Sequence, residues 1–169
     1  MRLPLSYLAV SVAAVGMLAL VPASHASARP SDRSTSSKVL TSPVIFRIQL
    51  QNSATNRCLQ ADASGHVSTN VICDNGFSEL WDLNTTLGAL RNEGTGACLD
   101  SNDAGEVYTG VCNNANYQSW RFAPANINSD YLWNVATGRF LDSNDQGAVY
   151  TSTFNGANFQ AWFHAVLKS

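Results

Sequence analysis

Two sets of four residues have the side chains to do recognisable chemistry. Asp100, Tyr108, Asn116 and Gln118 recur in the same order and spacing as Asp142, Tyr150, Asn158 and Gln160. A carboxylate accepts the protons of two neighbouring hydroxyls, and a carboxamide both donates and accepts. An aromatic ring covers a patch of C–H groups. These are the needs of a shallow site for a sugar, with hydroxyls along its edge and C–H groups on one face. The parts of an active site are not visible: His66 and His164 stand in unrelated places, with no Ser/His/Asp arrangement, metal-ligand spacing or phosphate loop around them. Asp100-Ser101-Asn102-Asp103 and Asp142-Ser143-Asn144-Asp145 hint at a calcium loop, but Val111 and Thr153 stand where its closing Glu belongs, so both read as turns. No catalytic residue, metal or cofactor is expected, and recurrence by symmetry suits several binding sites better than one active site.

The recurrence extends over the whole C-terminal part of the chain. Leu50-Gln51-Asn52 returns as Leu90-Arg91-Asn92 and Leu132-Trp133-Asn134. Each Asn is followed by Thr55, Thr95 or Thr137, then by Cys58-Leu59-Gln60, Cys98-Leu99-Asp100 or Phe140-Leu141-Asp142. A turn glycine follows at 65, 105 and 147, and each unit closes on Trp81, Trp120 or Trp162, a period of roughly 40 residues. The repeats span about 46–86, 87–127 and 128–169. The three tryptophans read as core, and Asn52, Asn92 and Asn134 as turn residues bonding their own backbone.

Short strand-like runs such as Ile45–Leu50, Val107-Tyr108-Thr109 and Val149-Tyr150-Thr151 are separated by Asn, Asp, Gly and Ser clusters. No stretch after residue 44 sustains a helical apolar period. Three copies of about four strands predict an all-β fold of about twelve strands, closed with pseudo-threefold symmetry to limit free edges. Four cysteines allow three pairings, and the repeat selects Cys58–Cys73 and Cys98–Cys112. The third unit carries Phe140 and Phe154 at the same two places, which supports pairing within repeats.

The set Cys-Leu-Asp, Gly and Gln-x-Trp resembles the ricin B-chain type of β-trefoil lectin module. It reads Cys98-Leu99-Asp100 … Gln118-Ser119-Trp120 and Phe140-Leu141-Asp142 … Gln160-Ala161-Trp162, and in weakened form Cys58-Leu59-Gln60 … Glu79-Leu80-Trp81. The resemblance covers residues 44–169. It implies a β-trefoil with glycan pockets, galactose-type among them, up to one per repeat. Carried over, Asp100 and Asp142 are the hydroxyl acceptors, Tyr108 and Tyr150 the aromatic platforms, and Asn116 and Asn158 the amides. Gln118 and Gln160 fit better as struts that hold a loop or orient the Asp. The pattern departs from the family in two ways. Each Tyr stands two residues earlier than the usual aromatic, where Gly110 and Ser152 are found, and each Asn is one place early, with Tyr117 and Phe159 between it and the Gln. The first repeat, with Gln60, Ser68 and Glu79, is expected to bind no sugar.

Residues 1–28 read as a signal peptide, with a charged start, an apolar run from Leu3 to Val21 and small-residue exits at Ala26 and Ala28. Residues 29–43, rich in Ser, Thr, Arg and Asp, read as a flexible leader to a domain at 44–169. The expected protein is therefore secreted, with glycans or polysaccharides as partners. Formal net charge is -2 and no basic patch is present, so nucleic acid lacks its electrostatic footprint and no membrane insertion is expected. The alternatives are a protein-interaction or protease-inhibitor module of the same fold, and a stand-alone targeting module for a separate enzyme or toxin.

Overall fold

A computed structural model describes residues 43–167. The signal peptide expected at 1–28, and all but the last residue of the leader expected at 29–43, lie outside the described residues. The first repeat forms β1 (Ile45–Asn52), β2 (Cys58–Ala61), β3 (Val67–Asn70) and β4 (Leu80–Asn84). The second forms β5 (Ala89–Asn92), β6 (Cys98–Ser101), β7 (Val107–Gly110) and β8 (Trp120–Asn126). The third forms β9 (Ser129–Asn134), β10 (Phe140–Ser143), β11 (Val149–Ser152) and β12 (Ala161–Leu167). The all-β class and the twelve strands are as the sequence implies. Two single turns of 3-10 helix, Asn116–Gln118 and Asn158–Gln160, lead into the last strands of the second and third repeats.

Within β1, Ile48, Leu50 and Asn52 are buried and alternate with half-buried Gln49 and Gln51, so the strand lays one face on the core. It pairs antiparallel with β4 on one side and β12 on the other. The β4–β5, β12–β9 and β9–β8 pairings continue the wall, and the Trp120 amide closes it onto the Gly88 carbonyl at 2.9 Å. The remaining strands form three hairpins that cap one end, linked head to tail around the pseudo-threefold axis. Thr109 donates its amide to the Gly65 carbonyl, Thr151 to Gly105 and Thr69 to Gly147, at 2.8–2.9 Å. These three glycines have φ of 88, 92 and 91°. An added Cβ would also meet the same threonines' carbonyls at 2.7–2.9 Å, so both conformation and space demand glycine. The result is a β-trefoil.

Trp81, Trp120 and Trp162 are fully buried, with Leu50, Leu90 and Leu132 and with Leu59, Leu99 and Leu141 around them. Their indole N–H groups donate to the carbonyls of Leu59, Leu99 and Leu141 at 3.0–3.1 Å. Cys58–Cys73 and Cys98–Cys112 are both bonded, as the repeat selects. In the third repeat the Phe140 and Phe154 rings take the place of the sulfurs, 4.9 Å apart, with the Tyr131 ring edge-on to both.

Asn52, Asn92 and Asn134 do more than turn the chain. Their side-chain oxygens accept the amides of Thr55, Thr95 and Thr137 at 3.0–3.3 Å, as an Asn turn does. Their nitrogens reach the carbonyls of Phe159, Ser78 and Tyr117 at 2.6–2.8 Å, each in a neighbouring repeat. All three side chains are fully buried. They are staples between repeats.

One place breaks the symmetry at the open end of the barrel. Asp130 and His164 occupy the positions of Ile48 and Leu83 in the first repeat, with His164 Nδ1 2.9 Å from Asp130 Oδ2 and the Phe122 ring edge-on to the imidazole. His164 is exposed, and a pair that keeps this much water contributes about 0–1 kcal/mol. Asp130→Ile together with His164→Leu should raise stability by about 1 kcal/mol, because apolar side chains at these two places join the core in the first repeat. His164→Leu alone should lower it. Urea denaturation of the three proteins checks the order.

Candidate glycan site

The β6–β7 hairpin sets Asp100 directly opposite Tyr108, and the β10–β11 hairpin sets Asp142 opposite Tyr150. Opposed residues of an antiparallel pair share a face, so each carboxylate stands beside its phenol. The 3-10 turns then bring Gln118 and Gln160 against the carboxylates from the side. Gln118 Nε2 donates to Asp100 Oδ2 at 2.9 Å and to the Val111 carbonyl at 3.0 Å, and its Oε1 accepts the Asn113 amide at 2.9 Å. Gln160 repeats this with Asp142 (3.1 Å), Thr153 (2.9 Å) and Asn155 (2.9 Å). Both amides are buried, and both act as struts.

In the second repeat these residues surround an open hollow of about 270 Å³, whose lining includes Asp100, Asn102, Tyr108, Asn113, Ala115 and Tyr117. Asp100 is 7% exposed, and its Oδ1 has no hydrogen-bond partner. An unpaired buried oxygen of this kind costs about 1–3 kcal/mol. Tyr108 and Tyr117 are 38% and 39% exposed. The Tyr117 hydroxyl lies 3.2 and 3.1 Å from the two oxygens of Asp103, which fixes the ring. Burial, and next the charge of Asp100, push the Tyr108 phenol above its usual pKa. The hydrogen bond to Asp103 does the same for Tyr117. Both rings therefore stay neutral at physiological pH.

Asn116, assigned to the site from the sequence, is exposed on the 3-10 turn and is not part of this lining. With three residues per turn, Asn116 and Tyr117 point in different directions, and it is Tyr117 that faces the hollow. Asn113 supplies an amide instead. Asn158 is likewise exposed on its turn. The sequence signal for Tyr117 was a break in symmetry, since its counterpart is Phe159, whereas Asp103 and its counterpart Asp145 are alike and gave none.

The third repeat has the same residue types in a different state. Ser152, in the place of Gly110, donates its hydroxyl to Asp142 Oδ2 at 2.7 Å, and the Ser143 amide donates to Oδ1 at 2.9 Å. The Tyr150 hydroxyl donates to the Ser143 carbonyl at 3.3 Å. Burial, with a smaller effect of Asp142, raises its pKa as in Tyr108. Tyr150 also borders a hollow on the pseudo-threefold axis, beside His66 and Glu106. In the first repeat Gln60 donates to Ser68 at 3.1 Å. Glu79, in the place of Gln118, is buried and accepts from Gln49, Asn70 and the Asp74 amide at 3.0–3.2 Å. A larger hollow, about 560 Å³, lies at the open end of the barrel around Asp130 and His164. It has no counterpart of the buried, unpartnered carboxylate oxygen beside an aromatic platform, so the smaller hollow is the better candidate.

A family model described as "Ricin-type beta-trefoil lectin domain" matches residues 46–162. No curated protein matches the sequence. Among solved structures, the hemolytic lectin CEL-III is similar at 26% identity and TM-score 0.64, over 72% of this chain and 30% of that one. The saccharide-bound SeviL is similar at 14% identity and TM-score 0.61, over 74% of this chain and 100% of that one. The exo-β-1,3-galactanase 1,3Gal43A from Clostridium thermocellum is similar at 16% identity and TM-score 0.64, over 72% of this chain and 30% of that one. The chain thus spans less than a third of the length of CEL-III and of the galactanase.

Proposed function

The chain belongs to the ricin-type β-trefoil lectin domain family, and from that premise we propose that it is a secreted, non-catalytic glycan-binding protein. Its ligands are galactose-type sugars or polysaccharides. The observation that carries this reading is Asp100: a carboxylate 7% exposed, with one oxygen unpartnered, on the lining of an open hollow beside an exposed phenol. A sugar supplies what that arrangement lacks, a hydroxyl donor for the carboxylate and a C–H face for the ring. Two disulfides suit an oxidising, extracellular setting, which agrees with the signal peptide read at 1–28. Similar structures that are lectins, and one that is a galactan hydrolase of which this fold is a minor part, support a sugar partner. Asp100→Ala should abolish retention on galactose- or polysaccharide-substituted resin while leaving the thermal melt within a few degrees of wild type. Unchanged retention would remove Asp100 from the site.

A protein-binding role has one observation in its favour. Val71, Ile72 and Phe77 of the first repeat are 63%, 64% and 68% exposed around the loop that the other repeats use for their carboxylate struts. Exposed apolar groups of this kind mark contact surfaces. Competition by soluble sugar separates the readings: it displaces a glycan-held partner and leaves a protein-held one in place.

A further inference from the structure

We infer that this protein has a single working glycan site, in the second repeat, and that the site takes two consecutive sugar units. The inference rests on the carbohydrate reading above and adds the number of sites and the class of ligand. Its basis is that the two look-alike repeats are in opposite hydrogen-bonding states.

In the third repeat the acceptor is already spent. Asp142 Oδ2 receives Ser152 Oγ at 2.7 Å and Gln160 Nε2 at 3.1 Å, while Oδ1 receives the Ser143 amide at 2.9 Å. Three of the carboxylate's roughly four acceptor sites are filled, so a sugar hydroxyl gains less here than at Asp100, where one donor is present. In the second repeat Gly110 has no side chain to offer, and Asp100 Oδ1 remains without a partner. Two differences add up: without a serine hydroxyl, Asp100 Oδ2 receives Gln118 alone at 2.9 Å, and the Ser101 amide, unlike that of Ser143, makes no bond to Oδ1.

The second difference sets the length of the ligand. Tyr108 rises from the hairpin beside Asp100, and Tyr117 comes from the 3-10 turn, so the hollow has two aromatic walls on separate elements. A single pyranose stacks on one ring. A second ring, exposed and locked by Asp103 at 3.1–3.2 Å, offers a prepaid platform to the next unit, because little rotamer freedom is left to lose. The third repeat has Phe159 in that place, half-buried and without a hydroxyl for Asp145 to hold.

Calorimetric titration of the whole protein tests this, with galactose, glucose, mannose and the two N-acetylhexosamines as monosaccharides and their homodisaccharides as longer probes. The expected result is one disaccharide bound per chain, about tenfold more tightly than its monosaccharide, the gain typical of one aromatic contact. Tyr117→Ala closes that gap. Asp103→Ala, which frees the ring without removing it, closes part of it, and also serves if Tyr117→Ala does not fold. Ser152→Gly with Phe159→Tyr opens the third repeat and raises the stoichiometry to two. Asp142→Asn leaves binding within twofold of wild type. Two equivalents bound by wild type, a loss on Asp142→Asn, or equal affinity for both lengths overturns the inference and leaves the carbohydrate reading standing. Failure of every probe to bind wild type overturns both.

Discussion

Reduction of Cys58–Cys73 and Cys98–Cys112 is expected to remove most of the stability of this domain. The bonds close loops of 15 and 14 residues. Chain entropy assigns about 3 kcal/mol to each loop of this size, so about 6 kcal/mol together. A domain of this length has a margin of only about 5–15 kcal/mol. Its strands are mostly four residues long, too short to hold register by backbone pairing alone. The loss should be uneven. The third repeat has no sulfur to reduce and is tied by Phe140, Phe154 and Tyr131, so its hairpin should be the last to exchange its amides. The second repeat should suffer early, because Cys112 anchors the segment that carries Asn113 and Ala115 into the hollow. Urea unfolding with and without reductant reads the global effect, and glycan retention in mild reductant reads the local one. A midpoint that stays in place on full reduction would show that the core alone holds the trefoil.

The threefold plan was legible because it is written in residues that cannot change role. Trp81, Trp120 and Trp162 must be buried and must donate one N–H, and their spacing gives the period before any strand is assigned. The disulfides were legible for a related reason: two phenylalanines at the cysteine places of the third repeat mark both positions as facing each other. What the sequence hid lies between repeats or in the direction of a side chain. Asn52, Asn92 and Asn134 look like local turn residues, and the bonds of their side-chain oxygens are local. Their side-chain nitrogens cross into the neighbouring repeat, 107, 14 and 17 residues away, which no local pattern records. The 3-10 turn exchanged Asn116 for Tyr117 at the hollow, a matter of one third of a helical turn. The contrast between Gly110 and Ser152 is plain in the sequence, but only hydrogen-bond geometry shows that the serine occupies one oxygen of a carboxylate. The Asp130–His164 pair was hidden for the same reason, since two polar residues on different strands say nothing of facing each other at the mouth of a barrel.

The staples connect this hidden layer to function. Asn134→Ala removes four contacts at once: the donation to the Tyr117 carbonyl at 2.6 Å, and acceptance from the Ala136 amide, the Thr137 amide and the Thr137 hydroxyl at 3.1–3.4 Å. Some of these groups reach water after the change, so the expected cost is about 3 kcal/mol rather than the sum of four bonds. Asn52→Ala should cost a similar amount, because its side chain is equally buried and makes the equivalent bonds to Phe159, Ala54 and Thr55. The two variants should nevertheless differ in binding. Asn134 holds the backbone of Tyr117, one wall of the second repeat's hollow, whereas Asn52 holds Phe159 in the third repeat. At a temperature where both variants are fully folded, Asn134→Ala should weaken disaccharide binding several-fold, about 1 kcal/mol of lost preorganisation, and Asn52→Ala should not. Equal stability loss with unequal affinity loss would locate the binding ring on the turn that Asn134 holds. Equal losses in both would mean that the staples act on the fold alone and that Tyr117 takes no part in recognition.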